Sequence, residues 1–211
     1  MDKNLAALIG FLFSDGSVYY DKSKRTYCIQ FTNKNKQMLE KFKYLATQCF
    51  GNLNFHINKC KGAISVRFFS KKIADCLFKY SPSFRTLRFQ DGKYPKAKIP
   101  SEIFNSSDFA IAFLQTYFSA DGCIYSNKSH KAVLEIACVH PGLRQQLFEL
   151  LETLDIFSLI TSKGIRINRI SEIRKFASKI RFLPESTVVQ STSANFGKTK
   201  NELLDSCLSY S

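Results

Sequence analysis

Asp15 and Asp121 are the residues in this sequence best placed to do chemistry. Each closes an apolar run of helical length and stands directly before a glycine: Leu8-Ile9-Gly10-Phe11-Leu12-Phe13-Ser14-Asp15-Gly16 and, 106 residues later, Leu114-Gln115-Thr116-Tyr117-Phe118-Ser119-Ala120-Asp121-Gly122. A carboxylate is an odd ending for a helix, because the last carbonyls carry about half a negative charge and favour Lys or Arg. A glycine in the left-handed region would end each helix and let the last carbonyls and the carboxylate converge on one point. An all-oxygen point of this kind suits a hard divalent cation. The expected metal ligands are therefore Asp15 and Asp121 with the carbonyls of Ser14 and Ala120. One helix ending in an Asp-Gly turn is a common accident. Two, each followed by strand-like alternation, predict two similar halves with their motif helices brought together.

These residues resemble the LAGLIDADG homing endonucleases in their single-chain, two-motif form. The first motif keeps the family spacing through Leu8, Gly10, Leu12, Asp15 and Gly16. The second keeps Leu114, Phe118, Ala120, Asp121 and Gly122, with Thr116 where the family usually has glycine and the small residues Ala110 and Ala112 beside it. The resemblance covers nearly the whole chain. It implies an α+β fold of two pseudo-symmetric αββαββα half-domains, with a saddle of antiparallel sheets for DNA and the two motif helices at the interface. It also implies a Mg²⁺-dependent, site-specific endonuclease making a staggered double-strand break at a long, largely asymmetric target, with Ca²⁺ expected to bind without supporting cleavage. Lys or Gln residues near strand ends commonly assist in this family. Asn33 and Lys34 match that position in the first half, and Val139 and His140 in the second.

The global numbers agree with a polyanionic partner. A net charge of +14 on 211 residues favours binding to phosphates, which releases counterions. Charge alone does not separate DNA from RNA or an anionic membrane. A hydrophobic content of 45% with 20 Phe indicates a folded chain. No apolar run reaches about 18 residues, so no membrane span is expected. The start Met1-Asp2-Lys3-Asn4 has no signal-peptide pattern, and seven scattered cysteines without a C-x-x-C pair point to reduced thiols. An intracellular monomer is expected, in the cytoplasm, nucleoid or an organelle.

The elements that must position the acids can be read from periodicity. After Asp15, strands are predicted over 17–20 and 25–32, where Tyr27, Ile29 and Phe31 alternate with Thr26, Cys28, Gln30 and Thr32. Lys22, Lys24 and Arg25 at the hairpin tip and Gln30 on the open face are candidates for reaching phosphates and base edges. A helix over 35–50 is expected to bury a stripe of Met38, Leu39, Phe42, Leu45, Ala46 and Cys49. A hairpin over 53–58 and 63–69 carries Arg67, and Lys71 and Lys72 open the next helix. Residues 1–80 form the expected first half. Pro82, Pro95 and Pro100 make 81–107 a basic connector with a short helix near Ser101 to Phe104. The second half, 108–211, repeats the plan, with Ser107-Asp108 as the expected cap of its motif helix. It has a hairpin tip at Lys128 and His130, and a helix over 143–154 in which Phe148 and Leu151 stand for Phe42 and Leu45. A hairpin then presents Arg166 and Asn168, and a short helix runs from Lys200. The runner-up function is a non-cleaving nucleic-acid binder on the same scaffold, such as an intron maturase or a regulator.

Overall fold

The computed structural model describes residues 1–60, 62–126 and 132–209. The first half runs α1 Lys3–Phe13, β1 Gly16–Asp21, β2 Thr26–Asn33, α2 Lys36–Phe50, β3 His56–Cys60, β4 Ala63–Phe69 and α3 Lys71–Phe78. After the connector, which contains α4 Ser101–Phe104, the plan repeats as α5 Ser107–Asp121, β5 Gly122–Tyr125, β6 Val133–Ala137, α6 Pro141–Thr153, β7 Leu159–Ile160, β8 Gly164–Ile167 and α7 Ile170–Lys179. A last helix, α8 Lys200–Ser209, follows a loop. The strands form two antiparallel sheets of the same order, β1-β2-β4-β3 and β5-β6-β8-β7. This is the expected two-repeat architecture.

Local chemistry explains most boundaries. The Asp2 side chain accepts from Leu5 N at 2.8 Å and starts α1. Ser70 caps α3 in the same way, accepting from Ile73 N at 3.2 Å. The second motif helix starts one residue earlier than expected, at Ser107, with Ser106 in the capping position and no side-chain cap bond. Asp108 lies in its first turn, where it suits the helix dipole and pairs with Lys3 at 2.9 Å. Strand β3 begins at His56 rather than Leu53, and β7 shrinks to two residues.

The α1 helix is apolar on every side because it has neighbours on every side. Leu5 through Phe13 are all buried. One face meets α5, where Phe13 packs edge-on against Phe113 with ring centroids 6.2 Å apart. The opposite face meets the first half's own core, where Phe11 lies 4.7 Å from Phe31, itself stacked on Phe42 at 5.2 Å. Burial of several such rings, each worth on the order of 2 kcal/mol, holds the motif helix to its sheet.

The two repeats are out of step by one residue. Gly16 lies opposite Phe31, fifteen residues on, whereas Gly122 lies opposite Ile136, only fourteen on. Across β6 and α6 the repeat offset is therefore 105, not 106. The buried positions of α2, Met38, Phe42, Leu45 and Ala46, correspond to the buried Leu143, Leu147, Leu150 and Leu151 of α6. The expected match of Phe42 to Phe148 is corrected accordingly, since Phe148 is only half-buried.

Candidate active site

The two motif helices cross at Gly10. A Cβ there would lie 2.2 Å from Thr116 Oγ1 and 2.4 Å from the Phe113 carbonyl oxygen. Thr116 thus occupies the space that Gly10 leaves, and its hydroxyl donates across the interface to the Ala7 carbonyl at 2.7 Å. A glycine at both crossing positions is unnecessary when one side supplies the gap and the other a hydrogen bond.

The glycines after the acids work differently from expectation. Neither Gly16 nor Gly122 has a positive φ; Gly122 is extended at φ −81°, ψ 152°. What each lacks is room. A Cβ on Gly16 would sit 2.6 Å from Leu12 Cα, and one on Gly122 would sit 2.4 Å from the Phe118 carbonyl oxygen. Glycine is needed so that the chain can turn straight from helix into strand against the preceding helical turn.

This geometry brings the two carboxyl groups together, Asp121 within hydrogen-bonding reach of Asp15. Desolvation raises the Asp15 carboxyl above its ordinary value, opposed by a 2.7 Å hydrogen bond from Asn33 Nδ2 and by the charge of Lys200. Asp121 is pushed well above the carboxylate range, first by desolvation and then by the Asp15 charge. Two like charges this close are costly without a cation between them.

A cavity opens on each side of the pair. The larger, about 600 Å³, contains Asp15, Asn33, Lys34 and Lys200 together with Ala120. The smaller, about 430 Å³, contains both Asp121 and Asp15, with Ser14, Val139 and Arg85 of the connector. Asp15 therefore lines both cavities, beside Ala120 of the other half in the larger and beside Asp121 in the smaller. Among the described residues no group of three or more His, Cys, Asp or Glu side chains gathers to hold a metal. The two carboxylates offer hard oxygen, which fits Mg²⁺ or Ca²⁺ and not zinc, while the Asn33 amide turns Nδ2 to Asp15 and its Oδ1 accepts from Asn35 N at 2.8 Å.

Asn33 and Lys34 stand beside Asp15 as the sequence reading placed them, with Lys34 exposed. In the second half the one-residue slip changes the match. Cys138 and Val139 take the places of Asn33 and Lys34, and His140 takes that of Asn35. Like Asn35, His140 is a helix cap: it is buried, its Nδ1 accepts from Leu143 N at 3.1 Å and its Nε2 lies 2.8 Å from the Pro95 carbonyl. It faces away from the acids and does structural work.

Four strands of the first sheet present one cross-strand row on the open face, Ser17, Gln30, Arg67 and His56. The matching row of the second sheet is Cys123, Glu135, Arg166 and Leu159. Cys28, expected on the open side, is fully buried there opposite Tyr19 on the neighbouring strand. Arg67 lies over the Phe69 ring at 5.5 Å, whereas Arg166 is paired with Glu135 at 2.7 Å. Lys22, Lys24 and Arg25 are exposed at the hairpin tip, where the Asp21 carboxylate holds the turn through Ser23 N at 2.9 Å. Asn168 lies past the end of β8. Lys71 and Lys72 sit on α3 and belong to neither strand row, and Lys71 is paired with Asp75 at 2.7 Å. Lys128 and His130 lie outside the described residues.

Sequence reasoning missed Lys200. Its Nζ donates to the Ser119 carbonyl at 2.8 Å, and the residue is buried. Desolvation lowers its ammonium to about 8 against the pull of Asp121, Cys123 and Asp15. A signal was present: Thr199 and Glu202 form a reciprocal capping box, with Thr199 N donating to Glu202 Oε2 at 2.7 Å and Glu202 N to Thr199 Oγ1 at 3.0 Å. That pair fixes the start of α8 at Lys200. Nothing in the sequence says which way the lysine points.

Comparison with known proteins adds the following. The model of a LAGLIDADG-like domain matches residues 2–67 and 108–181. No curated protein matches. Among solved structures, a homing endonuclease I-DmoI variant in complex with its target DNA in the presence of Mn is 18% identical over 84% of this chain and 93% of its own, with a TM-score of 0.61. Other I-DmoI structures hold DNA with Ca, or target DNA in the presence of Mg. The homing endonuclease I-WcaI bound to its DNA recognition sequence is 18% identical over 87% of this chain and 84% of its own, at 0.57. Full-length DUF199/WhiA from Thermatoga maritima is 14% identical over 99% of this chain and 60% of its own, at 0.59. No helix of the described residues is long and apolar enough to cross a membrane.

Proposed function

We propose that this chain, which belongs to the LAGLIDADG-like family, is a site-specific DNA endonuclease that makes a divalent-metal-dependent, staggered double-strand break at a long, largely asymmetric site. The observation that carries the reading is the meeting of Asp15 and Asp121 at the ends of two crossed helices, between two open sheet faces of opposite halves. The DNA-bound state of the similar homing endonucleases supports the partner, and the metals with them support the cofactor.

A duplex lying across both sheets meets one half-site per half. The Gln30–Arg67 row faces the first half-site and Arg166 the second, while Lys22, Lys24 and Arg25 reach phosphates at the edge. Asp15 and Ala120 line one cavity, and Asp121 and Ser14 line the other together with Asp15; these residues would hold Mg²⁺. Bound there, Mg²⁺ lowers the pKa of a coordinated water and neutralises charge on the phosphate. The protein's part is to hold two carboxyl groups close, to orient Asp15 through Asn33, and to set Lys34 at the mouth of the first cavity. Water oxygen adds to phosphorus, one P–O ester bond breaks, and the leaving oxygen takes up a proton.

The test is incubation with a randomised-site plasmid library in Mg²⁺ and, separately, in Ca²⁺, followed by sequencing of the ends. One recurring site with staggered ends in Mg²⁺ and none in Ca²⁺ is expected. A site that is bound and never cut favours the second reading, a non-cleaving binder on this scaffold. The half-site layout is checked with Arg67→Ala and Arg166→Ala. Arg67→Ala is expected to weaken binding about tenfold, the size of one lost base-edge contact. Arg166→Ala also leaves Glu135 facing the DNA without its partner. Footprints of the two variants should loosen at opposite half-sites, and loosening at the same half-site refutes the layout.

A further inference from the structure

The two repeats supply both acids, yet neither repeat supplies the cation that faces them in the cavities apart from the exposed Lys34. The family match stops at 67, resumes at 108 and ends at 181. Lys200 and Arg85 both lie in the segments it leaves out, the tail and the connector. Each enters a different cavity, Lys200 the one that Asp15 lines without Asp121 and Arg85 the one that Asp121 shares with Asp15.

Both segments are anchored rather than merely draped over the site, the connector through Phe84, whose ring centroid lies 5.0 Å from that of Phe13 on α1. The tail is tied to the second half where α5 ends: Leu183 N donates to Ser119 Oγ at 2.7 Å, and Ser186 Oγ and Lys200 Nζ each donate to the Ser119 carbonyl at 2.8 Å. It is tied to the first half through Asn35 Nδ2, which donates to the Glu185 carbonyl at 2.7 Å and to Thr187 Oγ1 at 2.9 Å. In the connector, Arg85 Nε donates to the Leu87 carbonyl at 3.0 Å and Nη2 to the Arg88 carbonyl at 2.9 Å. A guanidinium has five N–H donors, so this clamp aims Arg85 while leaving donors for a phosphate.

The electrostatics of the cavities differ as a result. Lys200 is a buried point charge, 8% exposed, whose ammonium has two further N–H donors beyond its bond to Ser119. Arg85 is an exposed, planar charge on a loop. The repeat gives each strand of a bound duplex an equivalent acid, while the extensions give each a different cation.

Resting on the nuclease reading above, we propose that Lys200 and Arg85 divide the two DNA strands between them, Lys200 serving the strand in the Asp15 cavity and Arg85 the strand in the Asp121 cavity. Lys200 caps α5 as well, so loss of the lysine could act through structure. Strand selectivity separates the two roles, because a loosened helix end would impair both strands alike.

The experiment uses the full chain and a duplex carrying the site recovered from the library, with the two strands labelled differently. Lys200→Gln keeps a side-chain donor for Ser119 and removes the charge; Lys200→Met is the second variant should the first fold poorly, and Arg85→Ala changes an exposed residue. Each charge-removing variant is expected to slow one strand at least about tenfold relative to the other, so that nicked duplex accumulates, with the nick in opposite strands for Lys200→Gln and Arg85→Ala. Equal slowing of both strands, or nicks in the same strand for both variants, overturns the proposal. If the wild-type chain binds the duplex without cutting it, the nuclease reading falls and phosphate-ethylation interference decides the pairing. Each variant should then lose interference at central phosphates of one strand, a different strand for each, and unchanged or shared patterns refute it. A wild-type chain that binds no duplex removes both proposals.

Discussion

Asp15→Asn and Asp121→Asn are each expected to abolish double-strand cleavage while leaving DNA binding largely intact. Asparagine keeps the shape of the side chain and loses the charge that would hold a divalent ion. If that ion contributes about 4 kcal/mol of transition-state stabilisation, the loss is about a thousandfold in rate. Binding survives because the strand rows and the basic surface are untouched. A second readout needs no DNA. Asp15, Asp121 and the buried Lys200 place two acids against one buried cation, and either substitution leaves a balanced pair. Relief of the buried charge, and with it of the repulsion, is expected to raise Tm by roughly 2–4 °C, the shift that about 1 kcal/mol produces in a chain of this size. Adding Mg²⁺ or Ca²⁺ should raise the Tm of the wild type and not that of the variants. Loss of DNA binding in both variants, or a wild-type Tm indifferent to divalent ions, counts against the assigned site.

How far this site could be read in advance depended on what each residue had to do. The acids were legible because an acidic helix ending is disfavoured and occurs twice at one spacing. Their neighbours Asn33 and Lys34 came from the family resemblance, and β2 does end beside the helix terminus, where Asn33 Nδ2 donates to Asp15. The sheets were legible from alternation, except where a neighbour covers the open face, as Tyr19 does for Cys28. The second-half partners were misplaced because one residue is missing between β5 and β6, and a fixed offset carried through that gap puts His140 where Val139 stands. A histidine before Pro-Gly at a helix start is a cap by local chemistry, and that reading was open. Lys200 could not be found from its neighbours, because its partner Ser119 lies 81 residues away and only packing of the tail unites them.

Gly10→Ala is expected to be the most damaging small substitution in the core. The added methyl meets two atoms of different kinds: Thr116 Oγ1 at 2.2 Å, which a rotamer change could move, and the Phe113 carbonyl oxygen at 2.4 Å, which is helix backbone. Overpacking of a rigid interface costs about 3 kcal/mol, a fall in Tm of roughly 6–12 °C for a chain of this size. Thr116→Ala alone removes one buried hydrogen bond, that to the Ala7 carbonyl, and costs about 1 kcal/mol. The informative variant is the pair. Gly10→Ala with Thr116→Ala clears the hydroxyl but not the carbonyl, so it should recover little of the lost stability; full recovery would mean that the helices can slide apart at small cost. Sliding would also carry Asp15 away from Asp121, since each acid rides on the end of its helix. Cleavage by Gly10→Ala, measured below its unfolding temperature, is therefore expected to fall further than its DNA binding. Close crossing of the helices and catalysis then share one requirement, the absence of a single Cβ.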